Sequence, residues 1–114
     1  MRLMIKVEAP LEITPNPQGG WTLVFWVLDN FNYKAPFRAM LVEIAEALGQ
    51  NPARSLSLPD YIEDEDFVEG TLLFEGASLR VYYEHGLSYM TLANTDYDLL
   101  MMVAQRVQPR IAIA

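Results

Sequence analysis

The residues of this chain best able to do chemistry are carboxylates. The stretch LPDYIEDEDFVEG at 58–70 holds Asp60, Glu63, Asp64, Glu65, Asp66 and Glu69, and no Lys or Arg occurs between Arg54 and Arg80 to balance them. Such a run can ligate a hard cation, work as a general acid and base, or attract a cationic partner. Calcium ligation needs set spacing and a glycine at the sharp turn of the loop, and DYIEDEDFVEG has neither the EF-hand spacing nor a central glycine. Acid–base work needs two acids in a cleft with separated pKa values, and a row of exposed, mutually repelling acids is a poor place for that. The remaining choice is between a solvated run that only aids solubility and a recognition segment. Tyr61, Ile62, Phe67 and Val68 interleave apolar anchors with the acids, and the segment bridges regular elements that can present it rigidly. These features set a recognition segment level with the solvated run, and its contact residues would be Asp60, Tyr61, Glu63, Asp64, Glu65, Asp66, Phe67 and Glu69.

Other chemistry finds little support. The one histidine, His85, precedes Gly86 in a tight-turn pattern, whereas a general base needs an orienting partner and a pocket. Ser55, Ser57, Ser78 and Ser88 sit in no nucleophile-elbow pattern. Gly19-Gly20 lacks the spacing and the following helix that cradle a phosphate. The expectation is therefore a binding protein and not an enzyme, with no metal and no cofactor.

Composition narrows the partner. The six acids carry almost the whole net charge of -7, because the other nine acids face eight bases. A sequence pI near 4.5, with its bases scattered singly, argues against nucleic acid and against an anionic membrane surface, and for a cationic protein, a cationic ligand or a metal ion. Zero cysteines fit a reducing compartment. Charges at Arg2, Lys6 and Glu8 interrupt the apolar start of the sequence, and the longest uncharged apolar run, WTLVFWVL at 21–28, is far short of a membrane span. A cytoplasmic protein of one domain, 1–114, is expected.

The elements that must position the carboxylates are legible from periodicity. RLMIKVEA alternates Leu3, Ile5 and Val7 against Met4, Lys6 and Glu8, as a strand with one buried face. ITPNPQGG reads as a loop, and WTLVFWVL as a central strand that forms a hairpin with the first. A helix runs from near Pro36 to Gly49, with Phe37, Met40, Leu41, Ile44, Ala45 and Leu48 in one apolar stripe and Arg38, Glu43 and Glu46 toward water. Turns at Gly76-Ala77 and His85-Gly86 make 71–94 a three-stranded meander, in which Phe74 would face Leu79 and Leu72 would face Val81 across the first turn, and Tyr83 would face Ser88 and Val81 would face Met90 across the second. Its core face would carry Leu72, Phe74, Leu79, Val81, Tyr83, Met90 and Leu92, with Arg80, Tyr82, Glu84, Tyr89 and Thr91 pointing away. A last helix starts at an N-cap Thr95 and ends at Pro109, and RIAIA frays or adds a short strand. The order strand, strand, helix, three strands, helix predicts an α+β domain: an antiparallel sheet of about five strands with helices packed on one face.

This meander offers a second candidate surface. Its outer face would set Tyr82 directly opposite Tyr89, flanked by Arg80, Leu73 and Leu87, and tyrosine and arginine are typical interface anchors. The simpler account is that the second helix or the tail covers this face as part of the fold.

A small, cysteine-free, acidic α+β domain with a charged recognition segment and no catalytic constellation resembles the immunity proteins of bacterial contact-dependent and other polymorphic toxin systems. The likeness is one of size, charge and architecture across the whole chain and rests on no diagnostic motif. It implies a cytoplasmic inhibitor that binds one cognate toxin domain, often a basic nuclease. Acids concentrated in one place would steer such a partner, and aromatic and aliphatic anchors would hold it. The alternative is a small acidic secretion-type chaperone or adaptor holding a client protein, although such proteins usually open with a helix and this chain opens with strands.

Overall fold

The structure, a computed structural model, describes residues 5–27, 36–60, 66–84, 86 and 89–113. Its α+β architecture is organised by a six-stranded antiparallel sheet. In chain order the elements are β1 (Ile5–Val7), β2 (Glu12–Pro15), β3 (Trp21–Trp26), α1 (Pro36–Ala47), α2 (Pro52–Ser55), β4 (Leu56–Ser57), β5 (Phe67–Phe74), β6 (Ala77–Glu84), β7 (Tyr89–Asn94), α3 (Tyr97–Val107) and β8 (Ile111–Ile113). The large sheet has the order β2-β3-β7-β6-β5-β4, and β1 pairs with β8 in a separate parallel pair.

This changes the expected beginning of the fold. The hairpin partner of β3 is β2, which overlaps the stretch read as a loop, and the β1 segment joins the end of β3 through the isolated Val7–Val27 bridge and the Glu8 N–H, which donates to the Trp26 carbonyl at 2.9 Å. A proline-rich segment can still be a strand if it runs along a sheet edge, where Pro15 forfeits no interior ladder bond. The β2–β3 turn closes through the Asn16 side chain, whose Oδ1 accepts from the Gln18 N–H at 3.0 Å. Gly20 follows with φ +79, and a Cβ there would stand 2.8 Å from the Asn94 carbonyl oxygen.

The meander forms, but with both registers displaced by two residues. Glu75-Gly76 is the first turn, with φ of 53 and 75, as a type I′ turn requires, so Leu72 faces Leu79 instead of Val81. In the second hairpin Tyr83 faces Met90 instead of Ser88, and residues 85–88 separate the strands. His85, Leu87 and Ser88 lie outside the described residues. An even slip leaves every side chain on its original face, and Leu72, Phe74, Leu79, Val81, Tyr83, Met90 and Leu92 are all buried.

Both long helices close that inner face. The expected α1 stripe, Phe37, Met40, Leu41, Ile44, Ala45 and Leu48, is buried in the same cluster as the sheet residues, with Phe37 stacked on Tyr83 at 4.7 Å. A Schellman closure ends α1: Gly49 has φ +74, and the Gln50 N–H donates to the Ala45 carbonyl at 2.9 Å. From α3 come Leu100, Val103 and Val107, and its N-cap is Asp96 instead of Thr95, accepting from the Leu99 N–H at 3.2 Å. A 3-10 turn over Gln108–Arg110 leads into β8. One polar contact corrects the expected pattern of α1: Glu43 is only 6% exposed, because Arg110 Nη1 donates to its Oε1 at 2.9 Å. Among the described residues, no helix is long and apolar enough to cross a membrane.

Candidate functional site

The outer face of the sheet is assembled in rows that run across the strands. One row reads Trp26, Tyr89, Glu84, Phe67, from β3 through β7 and β6 to β5. The next reads Val24, Thr91, Tyr82, Glu69, with Glu12 of β2 at its end. A third reads Thr22, Ala93, Arg80, Thr71, with Thr14 at its end. Period-two alternation alone brings these side chains to one surface, since each is the off-parity residue of a strand whose other parity is core. The expected cover of this face by the second helix or the tail does not occur: α3 is packed into the inner core and the tail pairs with β1.

Four rings form a continuous aromatic stripe across it. Trp26 and Tyr89 lie 4.9 Å apart between centroids, Tyr89 and Tyr82 meet edge to face at 6.3 Å, and Tyr82 and Phe67 lie at 6.1 Å. Phe67 is 56% exposed and the other three are half-buried. Smaller residues make the floor beside the stripe. Val24, Thr91 and Ala93 are buried there although they face outward. The result is a groove of about 720 Å³ that includes Tyr82 and Tyr89, with the β2–β3 turn at Pro15–Gln18 as one wall and Glu69–Thr71 as the other.

The charges of the face are mostly uncompensated. Glu84 Oε1 accepts a hydrogen bond from the Tyr82 hydroxyl, but Glu84, Glu69 and Arg80 form no ion pair among the described residues. The phenol of Tyr82 is pushed up to about 12, chiefly because its proton is held by the Glu84 carboxylate and further because of burial and the negative charges of Glu84 and Glu69. The carboxylate is therefore anchored at one oxygen while its charge stays available.

The structure brings five of the sequence candidates together. Asp66 and Phe67 stand where the chain enters β5, Glu69 lies on the groove wall, and Tyr82 and Tyr89 lie in the stripe. Asp60 is exposed after β4, while Tyr61, Glu63, Asp64 and Glu65 lie outside the described residues. The acidic segment and the outer sheet face were separate candidates from sequence, and they share an edge at Phe67. One geometric detail is corrected: Tyr82 pairs with Thr91 and Tyr89 with Glu84, so the two tyrosines are diagonal neighbours and not directly opposed. Sequence reasoning missed Trp26 and the central position of Glu84. Trp26 has the parity opposite to Leu23 and Phe25, a signal that becomes useful only once β3 is known to pair with β7.

The described residues contain no group of three or more His, Cys, Asp or Glu side chains placed to hold a metal ion. No protein-family model matches the chain, and no match is found among the curated proteins or the solved structures.

Proposed function

We propose that this protein is a cytoplasmic binding protein that neutralises a cognate basic protein, in the manner of an immunity protein acting on a toxin domain, by covering it with the outer sheet face and the adjoining acidic segment. The observation that carries the proposal is the four-ring stripe on a sheet face that α3 and the tail leave open, bordered by Glu69 and Glu84, which form no ion pair among the described residues. A solvated sheet face has no need of Trp26, Tyr89, Tyr82 and Phe67 in ring contact, and exposed apolar surface of that kind marks an interaction site. The acids do different work from the rings. Charge at 60–69 accelerates encounter with a cationic surface over distances comparable to the Debye length, and ring contacts set the lifetime of the complex.

This division is testable. With a captured partner in hand, neutralising Asp64, Glu65 and Asp66 together slows association and flattens its salt dependence while leaving dissociation nearly unchanged. An association rate that is the same across ionic strengths in the native protein would remove the steering role. Toxicity of the partner expressed alone, relieved by co-expression of this chain, would support the immunity reading. A harmless partner, or several disordered clients held on a dimer, would point to the chaperone alternative.

A further inference from the structure

We infer that Glu84 and the rings around it form a cage that seats one cationic side chain, an arginine or lysine of the partner protein; this rests on the partner reading above and assigns its anchor point. Glu84 lies directly across from Tyr89 on β7 and from Phe67 on β5, and Tyr82 precedes it by two residues on the same face. Trp26 extends the wall behind Tyr89 at 4.9 Å. A carboxylate ringed by aromatic groups and lacking a cation among the described residues is an unfinished arrangement. Aromatic faces attract a cation within about 6 Å through their quadrupole, and the carboxylate adds a charged acceptor. Tyr82 fixes one oxygen of Glu84 by donating to it, so the carboxylate is oriented before a ligand arrives. Arg80 stands two rows away, opposite Thr71, and forms no ion pair with Glu84 among the described residues. The half-exposed rings and the half-buried Glu84 leave the cage open to solvent. Charge complementarity selects the occupant: an alkylammonium or guanidinium head satisfies both rings and carboxylate, whereas a neutral apolar chain would leave Glu84 desolvated and unpaired.

The test titrates the full-length protein with N-acetyl-arginine amide, followed by amide and indole NMR shifts, beside the neutral near-isostere N-acetyl-citrulline amide. The arginine probe is expected to saturate with a dissociation constant on the order of 1 mM, shifting Trp26, Phe67, Tyr82, Glu84 and Tyr89. Citrulline should bind about tenfold more weakly or worse, and Glu84→Gln, which keeps an acceptor for Tyr82 and the native spectrum, should reduce arginine binding by a similar factor. Equal responses to the two probes, no response, shifts spread over the surface acids without a centre, or full binding by Glu84→Gln would each overturn the cage. The partner reading fails separately: arginine bound at the cage with no protein partner captured removes that reading alone, and a partner held equally by Glu84→Gln removes the cage alone.

Discussion

The two faces of the six-stranded sheet are made by the same strands, yet they are finished in opposite ways. On the inner face Phe25, Met90, Tyr83 and Val68 make one row beneath α1 and α3, with every member buried. On the outer face the matching row is Trp26, Tyr89, Glu84 and Phe67, which has three rings against two but is half-open and has a carboxylate in its middle. Buried apolar area stabilises the inner row within the chain itself. The rings of the outer row remain only partly buried, which leaves apolar area for another molecule to cover. The difference separates residues that hold the fold from residues that leave it unfinished.

Substitutions can break this contrast in order of expected size. Leu72→Ala, on the inner face, should cost about 2 to 4 kcal/mol in a denaturant titration because the fully buried site leaves a cavity; little change would mean that the inner face is loosely packed. Glu43→Ala should cost about 2 kcal/mol by leaving Arg110 without its carboxylate, whereas replacing both residues with methionine should come close to the native value. Tyr89→Ala, on the outer face, should cost about 1 kcal/mol or less in stability while weakening partner binding about tenfold or more. A large loss of stability with binding intact would reverse the assignment of the two faces.

The smallest effect is spectroscopic. Ultraviolet titration should show one tyrosine ionising near 12 in place of the ordinary 10.0, and Glu84→Gln should bring that step down. A raised folded-state value means that the hydrogen-bonded neutral phenol adds stability below pH 10.0, which is then lost as the pH climbs toward 12. A native titration without the high step would show that Glu84 is not held by Tyr82.

Much of the inner face was legible in the sequence because period-two alternation survives an even slip in register. Across the first turn Leu79 faces Leu72 and not Phe74, yet it points inward in either arrangement. The α1 stripe was legible for the same reason, since 3.6-residue periodicity needs no knowledge of the partner. Contacts between distant segments were not. Nothing local to Glu43 announces Arg110, 67 residues away, and Ile5–Val7 gives no sign that it pairs in parallel with Ile111–Ile113. Two of the six strands of the sheet went unread: β4, which is only two residues long, and β2, obscured by the prolines around Glu12–Pro15, whose edge position makes them acceptable; Ile5–Val7, read as a strand of that sheet, stands outside it. On the outer face the residue types were visible and their adjacency was not. Trp26, Glu84 and Phe67 belong to three strands, and only the full strand order makes them neighbours.

The central claim is that the outer face is the surface another protein occupies, and the most direct measurement is parallel affinity capture on two baits. The native chain and a folded Glu84→Gln/Tyr89→Ala variant are exposed to the same cell extract at low and high salt, and the bound proteins are identified and counted. The account predicts one equimolar basic partner on the native bait, released by salt and missing from the variant. No stoichiometric partner on the native bait, or one retained equally by both, would contradict it.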